Sequence, residues 1–235
     1  MRNDPAGGPA ARPGKGLALT AYTTVFMSGE GYYEEKKSRF LSYVYEVKTE
    51  QEAEACLAAL KKQHYAARHH CYAYVLGTDG AVQKFSDDGE PQKTAGYPIL
   101  SVIKGKELVN TLVVVVRYFG GTLLGTGGLV RAYSNAAADG IANAVLIRKY
   151  PAALCEIVCD YNAAGRLQYY FASEDLKPLS ADYGAEVTFR IPVPAEKEAA
   201  FTEKITDLTQ GKGKIEKKQD VWCGEANGRT LTFPD

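Results

Sequence analysis

No stretch of this sequence stays apolar for long. Uninterrupted runs such as Leu112 to Val116 fall far short of the ~18–20 residues a membrane-spanning helix needs, which excludes an integral helical membrane protein. Net charge is missing as well. Lys+Arg and Asp+Glu each total 28, so no bulk field draws a polyanion to the chain, and any nucleic-acid site must be local. Cut near Tyr150, the first part is mildly positive and the second mildly negative. Paired cysteines are lacking too, because Cys56, Cys71, Cys155, Cys159 and Cys223 are odd in number and contain no CxxC spacing. That argues against a disulfide framework or a thiolate metal site. It predicts reduced thiols in a cytoplasmic protein without a cofactor.

What is present suffices for two small cores. With 46% hydrophobic residues in 235, the chain divides most naturally into two domains rather than one. Residues 1–19 are rich in Pro, Gly and Ala, lack apolar periodicity, and are expected to form a disordered extension or a cloning remnant. In residues 20–150, Phe40 to Val47 alternates as a half-buried strand. Thr49 to Tyr65 then reads as a helix, with Thr49 and Glu52 in capping-box spacing. Cys71 to Leu76 and Ala81 to Phe85 form a hairpin about Thr78-Asp79-Gly80, and Tyr97 to Lys106 makes a short helix with Pro98 in its first turn. Thr111 to Tyr118, apolar on both faces with four consecutive valines, predicts a central strand. Leu129, Tyr133, Ala136, Ala137, Gly140, Ile141 and Ala144 then recur as one small-residue helix face.

Tyr150-Pro151 marks the expected boundary, and residues 151–235 follow the order βαββαβ, a ferredoxin-like unit. Leu154 to Tyr161, Lys177 to Tyr183, Ala185 to Val193 and Lys214 to Cys223 are its strands. Asn162 to Ala172 and Pro194 to Gln210 are its helices. The fold class is therefore α+β, with two two-layer domains.

Three constellations can carry chemistry. The densest runs from Arg117 to Arg131, a strand entering a helix through Gly120, Gly121, Gly125, Gly127 and Gly128. Glycines let backbone amides approach a ligand, a helix N-terminus offers free N–H groups, and Arg117 and Arg131 can add charge-assisted contacts to phosphate. The plainer reading is a tight turn with ordinary arginines. The loop lacks the Gly-Lys-Ser/Thr ending of a P-loop and the acidic residue of a dinucleotide fingerprint, so nucleotide hydrolysis is disfavoured.

The second constellation is the acidic turn Asp87, Asp88 and Glu90 with Thr94 close behind. It can supply an acid and a base, although turns and caps use the same residues. A metal is not predicted there, since fewer than the usual six oxygen ligands are in sight. The third places His69 and Cys71 on one strand face, where a thiol nucleophile would need the imidazole within hydrogen-bond reach. Of the 16 tyrosines, Tyr72, Tyr74, Tyr118 and Tyr133 lie near these motifs. They can stack on bases, or fill the sheet and core.

The segments SDDGEP (Ser86 to Pro91), TAG (Thr94 to Gly96), VVVVRYFGG (Val113 to Gly121) and LGTGGLVRAY (Leu124 to Tyr133) resemble signature segments of the IMPACT/YigZ family. The likeness extends upstream through His69 and Cys71 and covers roughly Thr20 to Val221. One departure is Lys93, where many members carry glycine before Thr-Ala-Gly. The resemblance implies a first domain like the second domain of ribosomal protein S-five and a second domain like the last domain of elongation factor G. Both relatives touch RNA on the ribosome. Eukaryotic members act in translational control, by competing for a partner of a starvation-sensing eIF-two-alpha kinase. The resemblance supplies no catalytic residues.

The leading expectation is thus an RNA- or ribosome-associated protein linked to translational regulation. The alternatives are a hydrolase using the acidic turn or Cys71 with His69, and a protein-interaction module that docks a translation-related protein.

Overall fold

The computed structural model describes residues 20–226 and 229–233, so the extension expected at residues 1–19 lies outside the described residues. After a first strand β1 (Tyr22–Met27) come β2 (Gly29–Glu35), β3 (Ser38–Glu46), helix α1 (Glu50–Gln63), β4 (His69–Leu76) and β5 (Val82–Ser86). Helix α2 (Gly96–Gly105), β6 (Thr111–Tyr118) and helix α3 (Gly125–Ala142) complete the first half. Its sheet has the order β2-β3-β6-β4-β5 with every neighbouring pair antiparallel, which puts the valine-rich β6 at the centre.

Both faces of β6 are covered, and this corrects the two-layer expectation for the first domain. Val113 and Val115 pack with Ile99 and Ile103 of α2 and with Leu129, Tyr133 and Ala136 of α3. Leu112, Val114 and Val116 pack on the other side against Ala53, Leu57 and Leu60 of α1. A strand apolar on both faces needs a layer on each.

Local chemistry accounts for the helices. Thr49 caps α1 by accepting from the Glu52 amide at 3.2 Å. The Glu52 carboxylate reaches past Thr49 to the Lys48 amide at 2.7 Å, so only half of the predicted capping box forms. The small face of α3 lies directly on β2 and β3. Ser42 Oγ donates to the Ala136 carbonyl at 2.6 Å, and a Cβ at Gly31 would run into the Gly140 backbone.

The second half contains β7 (Val145–Cys159), α4 (Tyr161–Ser173), β8 (Ser180–Tyr183), β9 (Val187–Pro194), α5 (Glu198–Leu208) and β10 (Lys214–Ala226). The order β10-β7-β9-β8, antiparallel throughout, is the ferredoxin-like arrangement predicted. Ile157, Leu167, Phe171, Phe189, Phe201 and Ile205 form its core.

Two strands outside the predicted set extend this sheet. β11 (Arg229–Phe233) pairs with β10, and β1 pairs with the first part of β7. The boundary predicted at Tyr150-Pro151 therefore falls inside a continuous strand. Along one edge of β7 the partner changes at that point, from β1, paired as far as Lys149, to β9, paired from Ala152. A residue without an N–H costs little where the ladder is already interrupted.

Lys149 fastens the two halves together. It is buried, its Nζ donates to Glu46 Oε1 of β3 at 2.6 Å, and it lies 4.3 Å from the ring centroid of Phe233 in β11. No helix of the described residues is long and apolar enough to cross a membrane.

Candidate functional site

The acidic turn follows β5 and is consumed by local structure. Asp87 Oδ1 accepts from the Ala95 and Gly96 amides at 3.0 and 2.9 Å, and Oδ2 accepts from the Lys93 amide at 2.8 Å, so this carboxylate anchors the start of α2. Asp88 Oδ2 accepts from the His70 amide at 2.6 Å. Thr94 donates to the Pro91 carbonyl at 2.6 Å. Glu90 turns inward to Arg117. The three carboxylates thus face three different partners instead of converging on one point.

Beneath the turn lies a buried polar chain. Arg117 Nη1 donates to Glu90 Oε1 at 2.6 Å, with both side chains almost wholly buried. Tyr133 Oη donates to the same oxygen at 2.8 Å. Arg117 Nη2 reaches Ser38 Oγ at 3.4 Å, and Ser38 Oγ also accepts from the Gly120 amide at 3.1 Å. The expectation that Arg117 contacts a ligand's phosphate is therefore corrected. Its side chain is inside the domain and its charge is committed to Glu90.

Cys71 closes the chain from below. Its sulfur lies 3.0 Å from the Asp87 carbonyl and 3.3 Å from Tyr133 Oη, and burial pushes the thiol far above its ordinary pKa. His69 gives its Nδ1 to the Asp88 carbonyl at 2.9 Å. The pair proposed for thiol catalysis thus shares a strand face but not a hydrogen bond. A fully buried, protonated thiol is a poor nucleophile. The neighbouring His70 is buried too, and burial lowers its pKa despite the nearby Asp88.

Above the chain sits the glycine loop. Gly121 and Gly125 take φ of 86° and 69°, in the left-handed region that favours glycine. A Cβ at Gly120 would run into the Lys37 backbone, so this glycine lets the loop rest on the β2–β3 turn. Gly127 is exposed and Gly128 half-buried in the first turn of α3, which has neither a side-chain cap nor an acidic residue. Arg131 is exposed, with Nη1 lying over Gly127.

Sequence reasoning missed the other half of this surface. Lys36 and Lys37 form the β2–β3 turn, with φ of 48° and 65°, and both are exposed. Phe119 is 54% exposed and Leu123 82% exposed. The signal was the Glu-Glu-Lys-Lys-Ser run, which reads as a hairpin turn only once β2 is recognised as a strand. The structure thus brings Phe119 and Gly120 against the Lys36–Lys37 turn, and Arg131 over Gly127 in the first turn of α3. It places Arg117, Cys71, Asp87, Glu90 and Thr94 underneath as support.

Comparison with known proteins places this arrangement. Residues 36–141 match the Impact N-terminal domain, and residues 157–212 match a domain of unknown function, DUF1949. The chain is 38% identical over 208 residues to the IMPACT family member YvyE of Bacillus subtilis, covering 88% of this chain and 96% of that protein.

The chain belongs to the IMPACT family.

A second IMPACT family member, YigZ of Escherichia coli, is 38% identical over 75% of this chain and 87% of its own length. A crystal structure of a hypothetical protein, 33% identical, superposes with a TM-score of 0.56 over 86% of this chain and 99% of its own. The Impact N-terminal match begins at Lys36 and so takes in the lysine turn, the acidic turn and the glycine loop.

Proposed function

We propose that this IMPACT family protein is an RNA- or ribosome-associated binding protein acting in translational regulation. Its anion site is the surface of Gly120, Gly121, Gly125, Gly127, Gly128 and Arg131. One observation carries the reading: Arg131 stands exposed over the open, uncapped first turn of α3. Free helix N–H groups and an arginine fork both suit phosphate oxygens. A hydrolase based on Cys71 and His69 has no comparable support, because that thiol is buried and protonated.

The test is binding to ribosomes and structured RNA across a salt series, with Arg131→Ala beside the parent protein. Salt-dependent binding whose log–log slope shrinks by about 1 in the variant supports the site. An absence of RNA and ribosome binding at low salt overturns it.

A further inference from the structure

We infer that Phe119 is a stacking platform for an unpaired base and that the Lys36–Lys37 turn holds the adjoining phosphates, so the ligand is single-stranded RNA. This rests on the reading of the glycine-loop surface as an RNA site and names its ligand class.

The platform is built from below. The Arg117 guanidinium carbon lies 5.5 Å from the Phe40 ring centroid and 5.6 Å from that of Phe119. Glu90 and Ser38 fix the guanidinium from the side, and Tyr133 fixes Glu90. The inner part of Phe119 therefore rests on an immobile cation, while just over half of the residue stays open to solvent. An aromatic ring held in place loses little freedom when a base stacks on it.

The lysines are held to the platform by backbone. Gly120, the next residue after Phe119, is wedged against Lys37, and its amide donates to Ser38 Oγ, the same atom that receives Arg117 Nη2. The ring's backbone and that of the lysine turn thus meet in one junction between two loops.

Stacking selects the form of the ligand. In an A-form duplex the base faces are covered by their neighbours, whereas single strands can splay a base onto an aromatic side chain. An acidic peptide would satisfy the lysines but would leave the ring without a flat partner.

The experiment is fluorescence anisotropy with a labelled single-stranded RNA of about 12 nucleotides and with the same sequence annealed as a duplex. The proteins are the full chain, Phe119→Ala, Phe119→Trp and Lys36→Ala/Lys37→Ala. The single strand should bind at least about tenfold more tightly than the duplex. Phe119→Ala should weaken it by about 5- to 150-fold without changing duplex binding, and Phe119→Trp should retain it. The lysine double variant should lower the salt slope for the single strand by about 1.4.

Equal affinity for both forms together with an indifferent Phe119→Ala overturns the platform and leaves the RNA site standing. A failure of the parent protein to bind any RNA at low salt overturns both. Poly-glutamate that competes as well as RNA reassigns the surface to acidic peptides and overturns the inference. Because Phe119 is half exposed, its variants should melt close to the parent protein, which separates lost binding from lost fold.

Discussion

Arg117 is where residue chemistry and fold meet most tightly in this IMPACT family protein. A guanidinium moved out of water is tolerated only when its charge is matched, and Glu90 matches it at 2.6 Å. Replacing either member with alanine strands the other charge in the core. Arg117→Ala and Glu90→Ala should each lower unfolding free energy by about 3–5 kcal/mol in denaturant titrations, and a loss below 1 kcal/mol would mean water already solvates the pair. The same logic makes Arg131, rather than Arg117, the informative arginine in binding assays. Lys93 offers the opposite case. It takes φ of 61°, so its side chain occupies a conformation that disfavours a Cβ. Lys93→Gly should raise stability by about 0.5–1 kcal/mol, read as an upward shift of the melting temperature; a fall would show that the side chain makes an unrecognised contact.

At the scale of elements, α3 settles against β2 backbone to backbone. Gly31 faces Gly140 with no room for a methyl group, and Ser42 bonds to Ala136 beside them. Gly31→Ala should force the helix off the sheet and cost about 1–3 kcal/mol of stability, whereas Gly165→Ala, on an open stretch of α4, should be neutral or mildly stabilising. Thermal melts of the two variants make the comparison. The same contact explains what the sequence disclosed and what it hid. The small-residue stripe of α3, the valines of β6 and the βαββαβ order carry strong local periodicities and were legible. β2 was not, because the residues it packs under α3 are glycines, which leave no apolar alternation to read. Without β2 there was no hairpin, and without the hairpin Lys36 and Lys37 could not be placed beside the glycine loop. The Arg117–Glu90 pair was hidden for a related reason, since only the folded sheet brings the strand end and the acidic turn together.

At the scale of the whole molecule, β7 is the shared member. Its first residues pair with β1, its later residues with β9, and β10 pairs with it from Lys149 to Val158, across the point where the other partner changes. Lys149 adds a buried tie from this strand to β3 and β11. Unfolding should therefore be one cooperative transition. The fluorescence of Trp222, the sole tryptophan, and the far-ultraviolet circular dichroism of both halves should lose signal at one midpoint, and two resolved midpoints would refute the coupling. Lys149→Ala should lower that midpoint, by about 3 kcal/mol of stability, without splitting the transition.

The continuity of β7 also bears on how such chains can be rearranged. The two family matches leave residues 142–156 between them, an inviting place to exchange halves between relatives. That interval lies mostly within β7. A hybrid joined there would inherit a strand whose one end must match a foreign β1 and whose other end must match a foreign β9. Inheritance of the two halves as a single block, rather than as interchangeable cassettes, is the historical signature this strand should leave.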